Sequence, residues 1–162
     1  MADEEFPVRR SCGVMQVHER LAEQIPEYRA RIAAIEDRTR ARVASGLLRM
    51  AVDITIPVVV HVVFNSPAQN ISDEQIKSQI DALNRDYGGK NTDKAGIPGI
   101  WKGMFASPAI KFALATKDIN GNPTSGITRT RTNIAGFSTD DKVKAVATGG
   151  ADPWPAERYL NI

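Results

Sequence analysis

The feature that most constrains the fold is a β-branched apolar run, ITIPVVVHVVFN, which begins at Ile54. Apolar side chains occupy both alternating sets of positions in this run, which is typical of a strand that is buried on both faces of a sheet. Pro57 cannot donate to a ladder, so it should lie near the start of the strand. The run therefore predicts a sheet that is covered on both sides.

The residues after this strand predict an α/β pattern. Ser72 followed by Gln75 forms a capping box, and apolar residues at helical spacing then predict a helix from Asp73 to about Tyr87. AIKFALATKD and ITRTRTN have the alternation of half-buried strands, and the turn-rich NGNPTSG between them predicts a hairpin turn. DDKVKAVATGG suggests a short helix, and YLNI begins a last apolar strand at the chain end, where we expect further chain to complete the sheet.

The first fifty residues differ in character from the rest. Helix-forming residues dominate from Val14 to Ser45, and Pro26, the one interruption, should open a second helix. This second helix has only a narrow apolar stripe, so it must dock on another surface to be stable. We therefore expect a helical appendage at residues 1–50 and an α/β (α+β) domain at residues 51–162.

Composition excludes several classes of protein. Hydrophobic residues make up 42% and charged residues 25% of the 162 residues, which are globular values. The 21 basic and 19 acidic residues leave a net charge of +2 with no concentrated basic face, so we do not expect nucleic-acid binding. No apolar run approaches the ~20 residues that span a bilayer, and MADEEFPVRR lacks the hydrophobic segment of a signal peptide, so no membrane partner is expected.

The chain contains few cysteine and histidine residues that could bind zinc. Cys12 is the single cysteine, so it is a free thiol, half of an intermolecular bridge or a metal ligand. His18 and His61 are too few for a three-histidine site; His61 should be a hydrogen-bonded core residue and His18 a helix-surface residue. No catalytic residue is predicted within this chain.

Several blocks of the sequence together resemble one known family. IPVVVHVVFN, ISDEQIKSQIDALNRDYGGKNTD, IKFALATKDINGNPTSGITRTRT and ATGGADPWPAERYLNI resemble, in this order, the N-terminal half of the pappalysin family of metzincin zinc metallopeptidases. The resemblance runs from about residue 8 to residue 162. It implies a helical pro-segment followed by an incomplete metzincin-type twisted mixed sheet with a backing helix.

The same resemblance implies roles for residues of the first segment. Arg10 to Gly13 resemble the family's cysteine switch, in which the thiolate of Cys12 would occupy the zinc position of the catalytic water. Arg9 or Arg10 could pair with acidic groups near the metal, and Gly13 would let the backbone pass close to the cleft. The bond from Arg49 to Met50, between the appendage and the first strand, is the expected activation cut.

The chain departs from the family in one respect that decides its activity. The family binds zinc through the pattern H-E-x-x-H-x-x-G-x-x-H, which this sequence lacks. The zinc ligands are therefore expected beyond Ile162, together with most ligands of any calcium ion, and residues 1–162 alone should be inactive. The resemblance also implies a secreted enzyme with a protein or peptide substrate. The alternative is a truncated, non-catalytic binding or inhibitory module derived from such a protease.

Overall fold

The computed structural model describes residues 13–46 and 54–162 of the chain. These residues fall into two compact units. The first combines residues 13–46 with the later segment Gly136–Lys142, and the second combines residues 54–135 with residues 143–162. The sequence pattern did not indicate that Gly136–Lys142 would pack with the N-terminal segment.

Two helices make up most of the first unit. Helix α1 spans Val14–Gln24 and helix α2 spans Pro26–Ala44. Ile25 separates them in an extended conformation, and its N–H still donates to Leu21 O at 2.9 Å. Pro26 opens α2 as predicted, because its fixed φ and missing N–H suit the first turn of a helix.

The second unit contains a four-stranded sheet and one long helix. The strands and the helix follow in the order β1 (Ile54–Phe64), α3 (Asp73–Tyr87), β2 (Ile110–Leu114), β3 (Ile127–Arg131) and β4 (Leu160–Asn161). Among the described residues, β2, β3 and β4 each pair with β1 in parallel. The predicted α/β class is therefore confirmed, and β1 is the strand to which the other three bind.

The backbone alternation of β1 determines which edge each partner occupies. The carbonyl of Val58 and the N–H of Val60 bond to the segments that flank β2 and β3, at 2.8 and 2.9 Å. Val59 and His61 point the opposite way, and both bond to the backbone of Ile162, at 2.9 and 2.7 Å. Because alternate residues of a strand bond to opposite sides, β2 and β3 lie along one edge of β1 and β4 along the other.

Pro57 lies near the start of β1, as predicted. It belongs to the residues of β1 that face the β4 edge, and pairing with β4 begins only at Val58. The missing N–H of Pro57 therefore removes no ladder bond.

Helix α3 covers one face of the sheet. Its bounds match the prediction, and Ser72 Oγ caps it by accepting from the N–H of Gln75 at 3.2 Å. The core on this face consists of Val58, Val60, Val62, Ile76, Ile80 and Phe112. On the other face, Val59 packs with Ala115, Tyr159 and Trp154. Val58 and Val59 are both fully buried, so β1 is buried on both faces, as its composition predicts.

Two local predictions differ from the structure. The turn between β2 and β3 contains one antiparallel bridge, Lys117 to Pro123, but the two strands do not form a hairpin, because each pairs with a different half of β1. The predicted short helix near residue 145 is two single 3-10 turns, Lys142–Lys144 and Val146–Thr148. Other 3-10 turns span Pro67–Gln69, Thr92–Gly96 and Gly99–Met104. No helix in the described part of the chain is long and apolar enough to cross a membrane.

Candidate functional site

Most residues that the resemblance assigns to a site lie outside the described residues. Cys12, Arg10, Arg49 and Met50 are in this group. Gly13 is described, and it immediately precedes helix α1. The structure therefore tests the surroundings of Gly13 only.

Gly13 lies against another segment of the first unit. Its carbonyl accepts from the N–H of Val17 at 3.0 Å and so starts α1. A Cβ atom at Gly13 would lie 3.2 Å from Thr139 Cγ2, which is tighter than an ordinary contact. The absence of a side chain at Gly13 therefore allows the backbone to approach Thr139 closely.

The segment Gly136–Lys142 also carries charged contacts within the first unit. Arg20 Nη2 donates to Asp141 Oδ2 at 2.5 Å, and the two side chains are 25% and 31% exposed. Lys142 Nζ contacts Asp140 Oδ2 at 2.8 Å. The pKa of Asp140 is held below its usual value because hydrogen bonds stabilise its carboxylate. The largest contribution comes from the Lys142 side chain, followed by the Lys142 backbone N–H, and the Ser138 side chain adds a smaller one.

His18 is not the surface residue that the helix pattern predicts. It is half-buried, its Nδ1 lies 3.1 Å from the Tyr28 hydroxyl, and the two rings meet edge to face at 5.4 Å. The reason is that Tyr28, near the start of α2, lies against His18 of α1, and the two helices are separated only by the extended residue Ile25. Gly13, His18 and Tyr28 line one open groove of about 540 Å³ within this unit.

In the second unit, His61 has hydrogen-bond partners on both ring nitrogens. Nε2 lies 3.0 Å from Asn161 Oδ1 and Nδ1 lies 2.8 Å from Thr128 Oγ1. The N–H of Trp154 also donates to Asn161 Oδ1, at 2.7 Å, which is consistent with an acceptor at that position. Nε2 of His61 is therefore the donor, and Nδ1 accepts from the Thr128 hydroxyl in the neutral imidazole. His61 is a hydrogen-bonded histidine, as predicted.

Asn161 also holds the connector that precedes β4. Its Nδ2 donates to Trp154 O at 2.9 Å, so one carboxamide binds both backbone groups of that residue. The Trp154 ring packs edge to face on Tyr159 at 4.9 Å, and the Tyr159 hydroxyl lies 3.0 Å from the carbonyl oxygens of Lys117 and Asp118. Trp154 is thus a packing residue under the connector.

The described residues do not fit a zinc centre. Within residues 13–46 and 54–162, no group of three or more histidine, cysteine, aspartate or glutamate side chains could hold a metal ion. Both nitrogens of His61 are already hydrogen-bonded, so this side chain has no free lone pair for a metal.

Comparison with solved structures confirms the resemblance to the pappalysin family of metzincins. The similarity covers the pro-segment and the upper region of the catalytic domain. A scan against protein-family models found no match, and a search of the curated proteins found none either.

Three of the solved structures that match are forms of one protease, mirolysin. A Tannerella forsythia promirolysin mutant is 41% identical over 94% of this chain and 49% of its own, with a TM-score of 0.75. Mature T. forsythia mirolysin in complex with a cleaved peptide is 50% identical over 68% of this chain and 41% of its own, with a TM-score of 0.65. Mirolysin in complex with a compound is 50% identical over 67% of this chain and 41% of its own, with a TM-score of 0.64. This chain thus spans less than half the length of the relatives it matches.

Proposed function

We propose that this chain is the N-terminal portion of a latent zinc metalloendopeptidase, with residues 1–50 as pro-segment and residues 51–162 as the first part of the catalytic domain. One contrast carries the proposal. The zymogen form of the relative matches 94% of this chain, whereas the mature forms match 67% and 68%. The additional quarter of the chain is close in size to the helical segment that precedes β1, which supports a removable pro-segment.

Cys12 is the proposed blocking ligand of this pro-segment. Zinc binds thiolate well, and a thiolate in the fourth coordination position excludes the water that a zinc peptidase activates. The remaining zinc ligands would come from outside residues 1–162. The position of Gly13, whose backbone lies close to Thr139, supports a tightly packed segment next to Cys12. Arg10 would pair with acidic groups near the metal.

Activation would require a cut between the two segments. The Arg49–Met50 bond lies between α2, which ends at Ala44, and β1, which begins at Ile54. A cut there would separate the proposed pro-segment from the sheet without interrupting either element. N-terminal sequencing of the activated protein should give Met50 as the first residue.

The substrate class and location follow from the same proposal. One mirolysin structure contains a cleaved peptide, which supports a protein or peptide substrate for the complete enzyme. A secreted location and a calcium requirement stay predictions from the family resemblance.

The experiment that tests the proposal begins with the gene beyond the codon for Ile162. We expect the pattern H-E-x-x-H-x-x-G-x-x-H within roughly a hundred residues. The complete protein should then be latent as purified, Cys12→Ser should cleave a peptide substrate without prior processing, and the neighbouring control Ser11→Ala should stay latent.

A stop codon directly after Ile162 would overturn the proposal. The alternative, a binding or inhibitory module, would then require that residues 1–162 inhibit a related zinc protease in trans. That inhibition should disappear in Cys12→Ser and persist in Ser11→Ala.

A further inference from the structure

We propose that Gly136–Lys142 is the docking site of helix α1, and that it retains the N-terminal segment after the connection between the segments is cut. The proposal rests on the function proposed above, in which residues 1–50 are removed. Its physical basis is that Gly136–Lys142 and residues 13–46 form one compact unit although they are far apart in the chain. A segment held in this way would leave by dissociation, in a step separate from cleavage.

The Arg20–Asp141 ion pair is one polar contact of this docking site. The two residues are 121 positions apart, and their side chains are only 25% and 31% exposed to water. The pairs that Arg40 makes with Glu36 and Asp37 on α2 have side chains that are 56% to 75% exposed. Shielded pairs are screened less by salt than exposed ones, so Arg20 and Asp141 should be more strongly coupled.

The backbone at Asp141 supports a docking contact rather than a chance surface pair. Its φ is 66°, and no other non-glycine residue in the described part of the chain has a positive φ. This left-handed conformation costs free energy for a residue with a Cβ, so it persists where surrounding contacts hold it. The bond from Arg20 is one such contact, and it links that conformation to the presence of α1.

Gly13 and Thr139 add a steric contact to this electrostatic one. The backbone of Gly13 lies so close to Thr139 that a Cβ would be 3.2 Å from Thr139 Cγ2. The residue that precedes α1, Gly13, therefore contacts Gly136–Lys142, and the second turn of α1 does so through Arg20. Two contacts of different kind fix the position of α1 on this segment.

The test uses the 162-residue chain with a recognition sequence for a specific protease inserted between residues 46 and 54. The single Cys12 is labelled with a fluorophore, the chain is cut, and the dissociation constant of the two pieces is measured by anisotropy. We expect the cut wild-type pieces to stay associated. Arg20→Ala and Asp141→Asn should each raise the dissociation constant about tenfold. The double variant should have a dissociation constant close to that of either single variant, because the same ion pair is lost in each of the three proteins.

Two controls make the test specific. Arg40→Ala removes an arginine that pairs within α2, and it should leave the dissociation constant within twofold of wild type. Exchanging the charges, Arg20→Asp with Asp141→Arg, should recover part of the affinity that either change alone removes. Gly13→Ala should also weaken association, and Thr139→Ser, which removes the obstructing methyl group, should restore it.

Pieces that separate completely when the wild-type chain is cut would overturn the proposal. So would single variants that bind as well as wild type, or an equal loss of affinity in Arg40→Ala. None of these measurements uses peptidase activity or zinc. Failure of the docking site is therefore distinguishable from failure of the proposed function, which the gene sequence and the Cys12→Ser assay decide.

Discussion

The side chain of Asn84 binds both backbone groups of Phe112. Asn84 Nδ2 donates to Phe112 O and Phe112 N donates to Asn84 Oδ1, each at 2.8 Å. In the ladder with β1, the bonds at Ala109 and Ala115 show that odd-numbered residues face β1, so Phe112 faces the outer edge of β2. Asn84 thus takes the position of a neighbouring strand at this point and fixes α3 to the sheet.

Asn84→Asp should destabilise the chain by about 1–3 kcal/mol, because the carboxylate cannot donate and its oxygen would face the Phe112 carbonyl. Urea denaturation of the 162-residue chain measures the loss. Asp81→Asn, at an exposed position of the same helix, is the control and should change the free energy of unfolding by less than about 0.5 kcal/mol. Equal effects of the two substitutions would contradict a role for the Asn84 bonds.

Gly126→Ala should be far more destabilising than Gly121→Ala. Both glycines have positive φ, 73° and 88°, so alanine is strained at either position. Only at Gly126 would the new Cβ meet backbone atoms, at 2.6 Å from Ala115 N and 2.9 Å from Ala115 O, whereas nothing lies within 4 Å at Gly121. We expect a cost of about 1 kcal/mol at Gly121 and at least about 2 kcal/mol more at Gly126, measured by thermal or urea unfolding. Similar losses at the two positions would show that the backbone around Ala115 yields to the added methyl group.

Asp118 should make the stability of the chain depend on pH in the acid range. The N–H and the side chain of Asn122 and the N–H of Asn120 hold the pKa of Asp118 below its ordinary value of 3.8. A lowered pKa in the folded state means that the unfolded state binds the proton more readily. The stabilisation is therefore present above pH 3.8 and is lost as the pH falls through the lowered pKa.

The comparison of wild type with Asp118→Asn measures this effect, because an amide keeps an acceptor oxygen but not the charge. Wild type should be the more stable protein at pH 7, and the difference in urea midpoint should shrink at about pH 2.5. A difference that is the same at both pH values would rule out the carboxylate charge as its source.

Asn161 should govern the order of the connector before β4. Asn161→Leu removes the bonds to both backbone groups of Trp154 and leaves His61 Nε2 without its acceptor, so it should cost about 1–3 kcal/mol. Asn161→Asp keeps the acceptor and loses only the donor, so it should cost less. The rate of hydrogen exchange at the Trp154 amide, measured by NMR, would report the loosening. An unchanged exchange rate in Asn161→Leu would mean that ring packing alone orders the connector.

The predictions that succeeded rest on signals within a few residues of one another. The cap at Ser72 and the apolar spacing that follows define α3, and β-branched residues on both faces define β1. The contact between Arg20 and Asp141 has no such signal, because neither residue differs locally from any exposed charge. The pairing of β2 and β3 with successive halves of β1 depended on the same kind of long-range contact, which a turn motif cannot reveal. The assignment of Cys12 came from the family resemblance alone and stays a prediction.

The arrangement of three strands around β1 also sets an order for folding during synthesis. β1 can pair with β2 once about fifty further residues have been made, whereas Leu160 reaches its partner Val58 only after about a hundred. Contacts of such long sequence separation form late and slow the folding of a chain. The β4 edge of β1 therefore stays unpaired on the ribosome longest, and during that interval its exposed N–H and C=O groups are open to pairing with the wrong strand.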